Sequence, residues 1–481
     1  MVADFSLAPL LPEMFMALTG MGLLIVGVAH GNETTRVICW ASAFSFVLAG
    51  FLLLGLDWEP QVVLSSMFKF DEFSGLMKLM VLLGMIISIS LSVRYLEQEG
   101  ISRFEYPVLM TFAGIGMMIM ISSHNLLALY MGLELQSLSL YVLTAFRRNS
   151  LKSSEAGVKY FVLGALSSGM LLFGISLIYG FVGSIDYGVI ATTLSSLDKV
   201  PVGVTIGLVF ILSGLAFKIS AVPFHMWTPD VYQGAPTSVT AFFAIVPKIA
   251  AMSLLIRLLF EPFMAISDQW SQILYFLSLG SMILGAFAAL TQENIKRLMA
   301  YSSIGNMGYA LIGVLTGTEQ GVTAVIVYMI IYMLMTAGVF TIILSMRRSG
   351  LAYEKISDLR GLSQNSPVLA YAMAILMFSL SGIPPMAGFF GKMMIFQAAV
   401  DEGFFVLAIL GVVSSVVAAY YYLRVVKVMF FDEAADPFEK NMPFAQRAIL
   451  LISIVFVLAF AIKPSLIIQS AQGAASALFT G

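Results

Sequence analysis

The sequence predicts an all-α polytopic membrane protein with about fourteen transmembrane helices, and three observations carry that expectation. Of 481 residues, 59% are hydrophobic and only 11% are charged. Mean hydropathy is +0.95, whereas a soluble domain of this length carries about a quarter charged residues. Apolar runs of about twenty residues, enough to cross a bilayer core, recur along the chain. The loops between them are short, so a soluble domain has almost no room.

The runs fall at 7–28, 36–56, 73–93, 106–123, 125–145, 155–182 and 203–223, then at 236–260, 268–291, 297–316, 321–345, 367–400, 403–430 and 447–467. Counted alternately from an outside N-terminus, the inner loops hold Arg36, Arg94, Arg103, Arg147, Arg148, Lys152, Lys296, Arg297, Arg347, Arg348, Lys355, Arg360, Lys427, Lys440 and Arg447. The outer loops hold only Lys69 and Lys199. The positive-inside bias therefore supports both the count and the orientation, with both termini outside. The longest loops, 184–202 and 347–366, are not linkers, so residues 1–481 read as a single transmembrane domain. Met1 to Asp4 lack the positive region of a cleaved signal peptide, and the first helix is expected to stay.

Several function classes drop out. A net charge of −2 with no basic run gives no footprint for nucleic acid. Cys39 is the single cysteine, which excludes a disulfide framework or a cysteine metal cluster. His30, His124 and His225 are the three histidines, and no two are spaced as ligands on one helix. No strand is evident, so no glycine-rich phosphate loop follows one. The many Met and Phe residues read as lipid-facing or packing surface.

A faint internal echo organises the chain. LSGIPPMAGFFGKMMIF (380–396) has the ingredients of 212–227: a Ser-Gly, a proline break and one lysine. Helix seven is thereby matched to helix twelve, five helices later, and an odd offset inverts the second copy. The expectation is two inverted five-helix repeats, about 106–260 and about 268–430, with helices 7 and 12 interrupted. Interrupted backbone at membrane depth requires protein or a wet cavity around it.

The buried charges carry the chemistry. Lys248 lies about twelve residues, or roughly 18 Å of helix, from each end of its run, beyond the reach of snorkelling. Such a charge costs several kcal/mol unless it is paired, neutralised or wetted, and ion movement is the default suspect. Glu134 is also mid-membrane, and with Lys218 it makes either a switchable proton-loading pair or a static tie between helices five and seven. Lys218 lies near Pro223 and Lys392 follows Pro384-Pro385, so for both a helix-end position is the rival reading. Lys159 sits one turn into helix six, where snorkelling competes with a relay role. His225 titrates near neutrality and suits proton uptake, or caps the helix break. Lys78, Arg257, Arg424 and Lys463 read as ordinary interface anchors.

MGLELQSLSLYVLTAFRR, EAGVKYFVLGALSSGMLLFG, AFKISAVPFHMWTPDVYQGAP, KRLMAYSSIGNMGY and SLSGIPPMAGFFGK together form a resemblance. The chain resembles the antiporter-like proton-translocating membrane subunits of respiratory complex I, NADH:quinone oxidoreductase, over nearly its whole length. ELQSLSLYVL and Lys392 point within them to the chain N (subunit 2) family. The resemblance implies that Glu134 and Lys218 form a coupling pair, with Lys248 as the central relay lysine and Lys392 at the exit side. Lys159 matches a bridging lysine, and His225 an inner-side histidine. Asn306 departs from the pattern, since relatives often place a histidine there; an amide holds a water wire but carries no proton. The implied function is proton movement from cytoplasm to periplasm, coupled to electron transfer elsewhere. No cofactor is then expected in this chain; NAD, FMN, iron–sulfur clusters and quinone belong to partner subunits. Implied partners are chains K, M, J, A and L of the complex and membrane lipids, in a bacterial inner membrane or else a mitochondrial one. A stand-alone cation/proton antiporter of the same superfamily and a purely structural membrane subunit are the alternatives.

Overall fold

The computed structural model describes residues 7–439 and 441–479; Lys440 lies outside them. The first six spans are α1 (Leu11–His30), α2 (Thr35–Leu54), α3 (Glu72–Gln98), α4 (Glu105–Ile121), α5 (Leu126–Thr144) and α6 (Leu151–Val182). A short surface helix, α7 (Tyr187–Ser195), precedes the broken span α8 (Val202–Ile219) and α9 (Trp227–Gly234). Span eight is α10 (Thr237–Ile245) joined directly to α11 (Pro247–Phe260). Then come α12 (Ser267–Ala289), α13 (Ile295–Leu315), α14 (Glu319–Ser345), the one-turn α15 (Leu362–Asn365), and the broken span α16 (Pro367–Ser381) and α17 (Ala387–Asp401). The chain closes with α18 (Phe405–Phe431), α19 (Phe444–Ala459) and α20 (Ser465–Ser476). Among the described residues eleven helical stretches are long and apolar enough to cross a membrane, and α4, α16 and α19 are shorter apolar helices, which together account for the fourteen expected spans.

Local chemistry sets these boundaries. Asp71 opens α3 with a capping box, its carboxylate accepting from the Ser74 amide while its own amide donates to the Ser74 hydroxyl. Asn125, Asp186, Asn294 and Thr318 cap α5, α7, α13 and α14 in the same sense, each accepting a first-turn amide. The breaks follow from proline, which donates no amide hydrogen and disfavours helix in the residue before it. Span seven stops at Ser220, whose φ of 66° places it in the left-handed region, three residues before Pro223. Span twelve stops at Gly382, φ 88°, just before Pro384 and Pro385. Pro247 has no N–H to return to Phe243, and α10 gives way to α11 there.

Helices α10, α11, α13 and α14 are buried along most of their length, whereas α1, α6 and α18 expose most of theirs. The protected centre is thus built from spans eight, ten and eleven, and polar backbone and side chains can be held there away from lipid.

Four sequence expectations need correction. Two short antiparallel hairpins occur in loops: β1 (Gln61–Val63) with β2 (Phe68–Phe70), and β3 (Arg347–Arg348) with β4 (Leu351–Ala352). The last span ends at Ala459 instead of 467, and α20 follows as a separate helix packed on α14 and α3. Lys78 and Arg257 are wholly buried and ion-paired, not interface anchors: Lys78 meets Glu13 at 2.6 Å, and Arg257 meets Asp71 at 2.6 Å. Arg424 donates to the carbonyls of Leu290 (2.6 Å) and Gln292 and so ties down the C-terminus of α12. These partners lie far apart in the chain, so no spacing in the sequence points to them.

Candidate functional site

The break after α8 gathers two of the buried lysines. Lys218 occupies the last turn of α8, and its ammonium donates to the Ser137 hydroxyl on α5 at 2.7 Å. The rings of Tyr141 and Phe217 flank it at 5.8 and 5.6 Å. Two residues on, Ser220 closes the helix in its left-handed conformation and accepts from Lys248 at 3.2 Å. Lys248 itself follows the Pro247 kink, is 1% exposed, and has the Tyr232 ring 5.8 Å from its ammonium. One hydroxyl is its only hydrogen-bond partner among the described residues.

Glu134 lies one turn before Ser137 on α5 and is half-buried. Its Oε1 is covered and has no hydrogen-bond partner. No ion pair joins Glu134 to Lys218 among the described residues: the lysine reaches Ser137 instead. The static tie is therefore not the arrangement of this conformation. Glu134 thus keeps one oxygen without a donor, and Lys218 is held by one hydroxyl.

Lys392, on the first turns of α17, is buried across the second break. It donates to the Leu380 and Ser381 carbonyls, each at 3.1 Å, and to the Ser415 hydroxyl at 2.9 Å. Those carbonyls are freed by the end of α16, so the interrupted helix supplies the acceptors that an unbroken one would use internally. The Tyr309 ring lies 4.8 Å from the ammonium.

Helices α13, α14 and α18 also bury two groups of hydrogen-bonded hydroxyls that the sequence reading missed. Tyr332 donates to Ser303 at 2.7 Å, and Tyr328 donates to the Asn306 carbonyl oxygen at 2.5 Å. The Asn306 amide donates to the Ser302 carbonyl at 2.8 Å and reaches the Ser302 hydroxyl at 3.3 Å. Ser302 and Tyr422 share a 2.5 Å bond. The signal was present: Tyr328 and Tyr332 are four apart on α14, and Ser302, Ser303 and Asn306 share one face of α13. A tyrosine on a buried helix reads as packing until its hydroxyl's partner is known.

The remaining two candidates lie elsewhere. Lys159 is 43% exposed and pairs with Glu155 and Asp230, each at 2.8 Å; Arg297 holds the other Asp230 oxygen at 2.6 Å. Lys159 thus touches neither Glu134 nor Lys218. His225 is half-buried just past the span-seven break, and its Nδ1 is covered without a hydrogen-bond partner. Near them Lys296 donates to Glu354 at 2.8 Å. Burial raises the Glu354 carboxyl, but the Lys296 ammonium and donors from Lys296, Asn294 and Thr237 outweigh it and hold the group below the ordinary carboxylate range.

On the opposite face, Asp71, Lys69, His124, Arg257 and Glu261 form a second ionic cluster. Burial pushes the Glu261 carboxyl up, yet Arg257, His124 and Lys69 together bring it down to about 2. Residues of alternate loops thus meet on one face or the other, as alternating spans require. Among the described residues no group of three or more His, Cys, Asp or Glu side chains is arranged to hold a metal ion.

Two broken spans, each holding a buried lysine beside its break, are the architecture of a membrane protein of the ion-translocating class. The family model "NADH:quinone oxidoreductase/Mrp antiporter, TM" matches residues 123–418, and the chain belongs to that family. It is 53% identical over 474 residues to "NADH-quinone oxidoreductase subunit N" of Parvibaculum lavamentivorans, covering 98% of this chain and 97% of the relative. The protein of the same name from Rhodospirillum rubrum is 51% identical, again over 98% and 97%. Among solved structures, a chain of respiratory complex I from Thermus thermophilus with bound aureothin superposes with a TM-score of 0.82 at 32% identity, over 96% of this chain and all of that one. A chain of the Mrp complex from Dietzia sp. superposes at 0.84 with 23% identity over 98% of both, a likeness of fold.

Proposed function

We propose that this chain is a proton-translocating membrane subunit of an NADH:quinone oxidoreductase, without a redox centre of its own. The observation that carries the reading is three buried lysines, Lys218, Lys248 and Lys392, each held by a hydroxyl in a protein that buries further hydroxyl pairs on α13 and α14. Full-length relatives at about half identity bear that enzyme's name.

In this reading protons are taken up near His225 and the Lys159–Asp230 cluster on the cytoplasmic side and released to the periplasm near Lys392. Protonation of Glu134 removes the field that favours charge on Lys218. Lys218 then gives up its proton toward the Ser220–Lys248 pair, and Lys248 passes one along the Ser303, Asn306 and Ser302 side to Lys392. Asn306 orients hydroxyls and water; it does not titrate. Electron transfer proceeds in partner subunits that hold NAD, FMN, iron–sulfur clusters and quinone. Chains K, M, J, A and L are the expected neighbours, in a bacterial inner membrane with both termini periplasmic. The left-handed caps Ser220 and Gly382, each preceding a proline, support two inverted repeats of about 106–260 and 268–430.

The test is NADH-driven proton uptake into vesicles containing the assembled complex. Glu134→Ala and Lys218→Ala are each expected to cripple pumping while the complex remains detectable by native gel. Wild-type proton-to-electron ratios in either variant would refute the coupling pair. Co-purification separates the antiporter alternative, since a stand-alone protein would run without flavin- and iron–sulfur-containing partners.

A further inference from the structure

A groove of about 790 Å³ opens on the outside of the helix bundle between α1, α4, α5 and α6. This lies within the range of small-molecule sites, roughly 300–1,000 Å³. Its wall is apolar: Leu109, Phe112, Val158 and Phe161 are among its lining residues. Its mouth is not. Arg103 precedes α4, Arg148 follows α5, and Glu105 lies in the first turn of α4, so all three stand at the same end of the bundle.

These three side chains have no ion-pair partner among the described residues. Glu99 pairs with Arg147 and Arg347, and Lys296 with Glu354, on the same face. Arg103 and Arg148 are exposed and make no side-chain hydrogen bond or ion pair among the described residues. Glu105 has no cation partner there, and its Oε2 is covered without a donor. A half-buried carboxylate left without a donor or counter-charge is costly, and an ammonium would offset that cost. Two free guanidinia suit a phosphate. The groove runs from residue 105 to Phe112 along α4 and from Ser154 to Phe161 along α6, about 10 Å of helix, which carries an apolar chain inward from the headgroup level.

We propose that this groove is a site for a zwitterionic aminophospholipid of the phosphatidylethanolamine type. Arg103 and Arg148 bind the phosphate, Glu105 accepts the ammonium, and an acyl chain fills the apolar wall. Charge complementarity selects this occupant: an anionic glycerol headgroup would satisfy the arginines and leave Glu105 facing added negative charge. Tyr141 also lines the groove, and its ring is the one 5.8 Å from the Lys218 ammonium. The lipid tail therefore sits one aromatic ring away from the first buried lysine and keeps bulk water from that side.

The experiment uses the purified complex containing the full chain, with photoreactive phosphatidylethanolamine and photoreactive phosphatidylglycerol supplied separately, and mass spectrometry of peptides spanning 103–161. The ethanolamine probe is expected to label the groove residues several-fold more than the glycerol probe. Arg103→Gln combined with Arg148→Gln should reduce labelling by both probes at least fivefold. Glu105→Gln should erase the preference without abolishing labelling. Labelling of the groove by neither probe overturns the site, as does a disulfide or cross-link from Val158→Cys to a neighbouring subunit. Equal labelling of wild type by both probes, or a preference unchanged by Glu105→Gln, overturns the headgroup assignment. The variants lie at an exposed mouth, and assembly by native gel confirms that losses are local.

Discussion

At the scale of single residues, Lys248 separates a relay from a fixed charge. It has one hydroxyl partner and an aromatic ring nearby, so nothing in its surroundings requires a permanent cation. Arginine retains the charge but holds its proton at any accessible pH. Lys248→Arg in a normally assembled complex is therefore expected to pump nearly as poorly as Lys248→Met, and near-normal pumping would sink the relay role. The buried hydroxyls give a second, graded test. Tyr332→Phe leaves the ring and removes only the donor to Ser303. A several-fold slower proton transfer at unchanged complex content is the expected result, measured as the initial rate of NADH-driven proton uptake into vesicles; an unchanged rate would exclude Tyr332 from the path.

At the scale of elements, what matters is how a broken span keeps its halves together. Gly388 on α17 approaches α16 so closely that an added Cβ would lie 1.9 Å from the Ser379 carbonyl oxygen, while its amide donates to the Ser379 hydroxyl at 3.1 Å. Backbone atoms do not yield cheaply, and overpacking of this kind costs about 1–3 kcal/mol. Gly388→Ala is expected to lower the thermal midpoint of the complex and to displace Lys392 from its carbonyls, with Gly169→Ala, which meets open space, as the neutral control. Equal midpoints for the two variants would show that the halves are not rigidly joined. Much of this level was legible beforehand. Hydropathy located all fourteen spans, and prolines marked the breaks at Pro223 and Pro384. The Pro247 kink was not anticipated, because Val246 and Pro247 sit inside an otherwise unbroken apolar run. The lysines were found by their depth; the hydrogen-bonded tyrosines were not, because aromatic burial has the same sequence signature whether or not the hydroxyl is used.

At the scale of the molecule, the ionic cluster on the face opposite Glu354 joins three distant parts of the chain. Lys69 and Asp71 come from the loop before α3, His124 from the turn before α5, and Arg257 and Glu261 from the end of α11. Residues nearly two hundred positions apart leave no spacing to read, which is why Arg257 passed for an anchor in the sequence. Removing one member unbalances the others: Arg257→Gln leaves Asp71 and Glu261 buried with only Lys69 and His124 as cationic partners and is expected to cost about 3–5 kcal/mol, seen as loss of assembled complex. Acid offers a gentler probe with a definite sign. The Glu261 carboxyl is lowered from an ordinary 4.5 to about 2 in the folded chain. Its contribution is thus complete above pH 4.5 and is lost as pH falls toward 2, because the unfolded chain then binds the proton first. The thermal midpoint of the purified complex should show no effect of this group from pH 8 to about 5 and decline below that. Glu261→Gln should start from a lower midpoint and decline less steeply over the same acid range. If the variant and the wild type fall with the same slope, the cluster is not what fastens these three segments together.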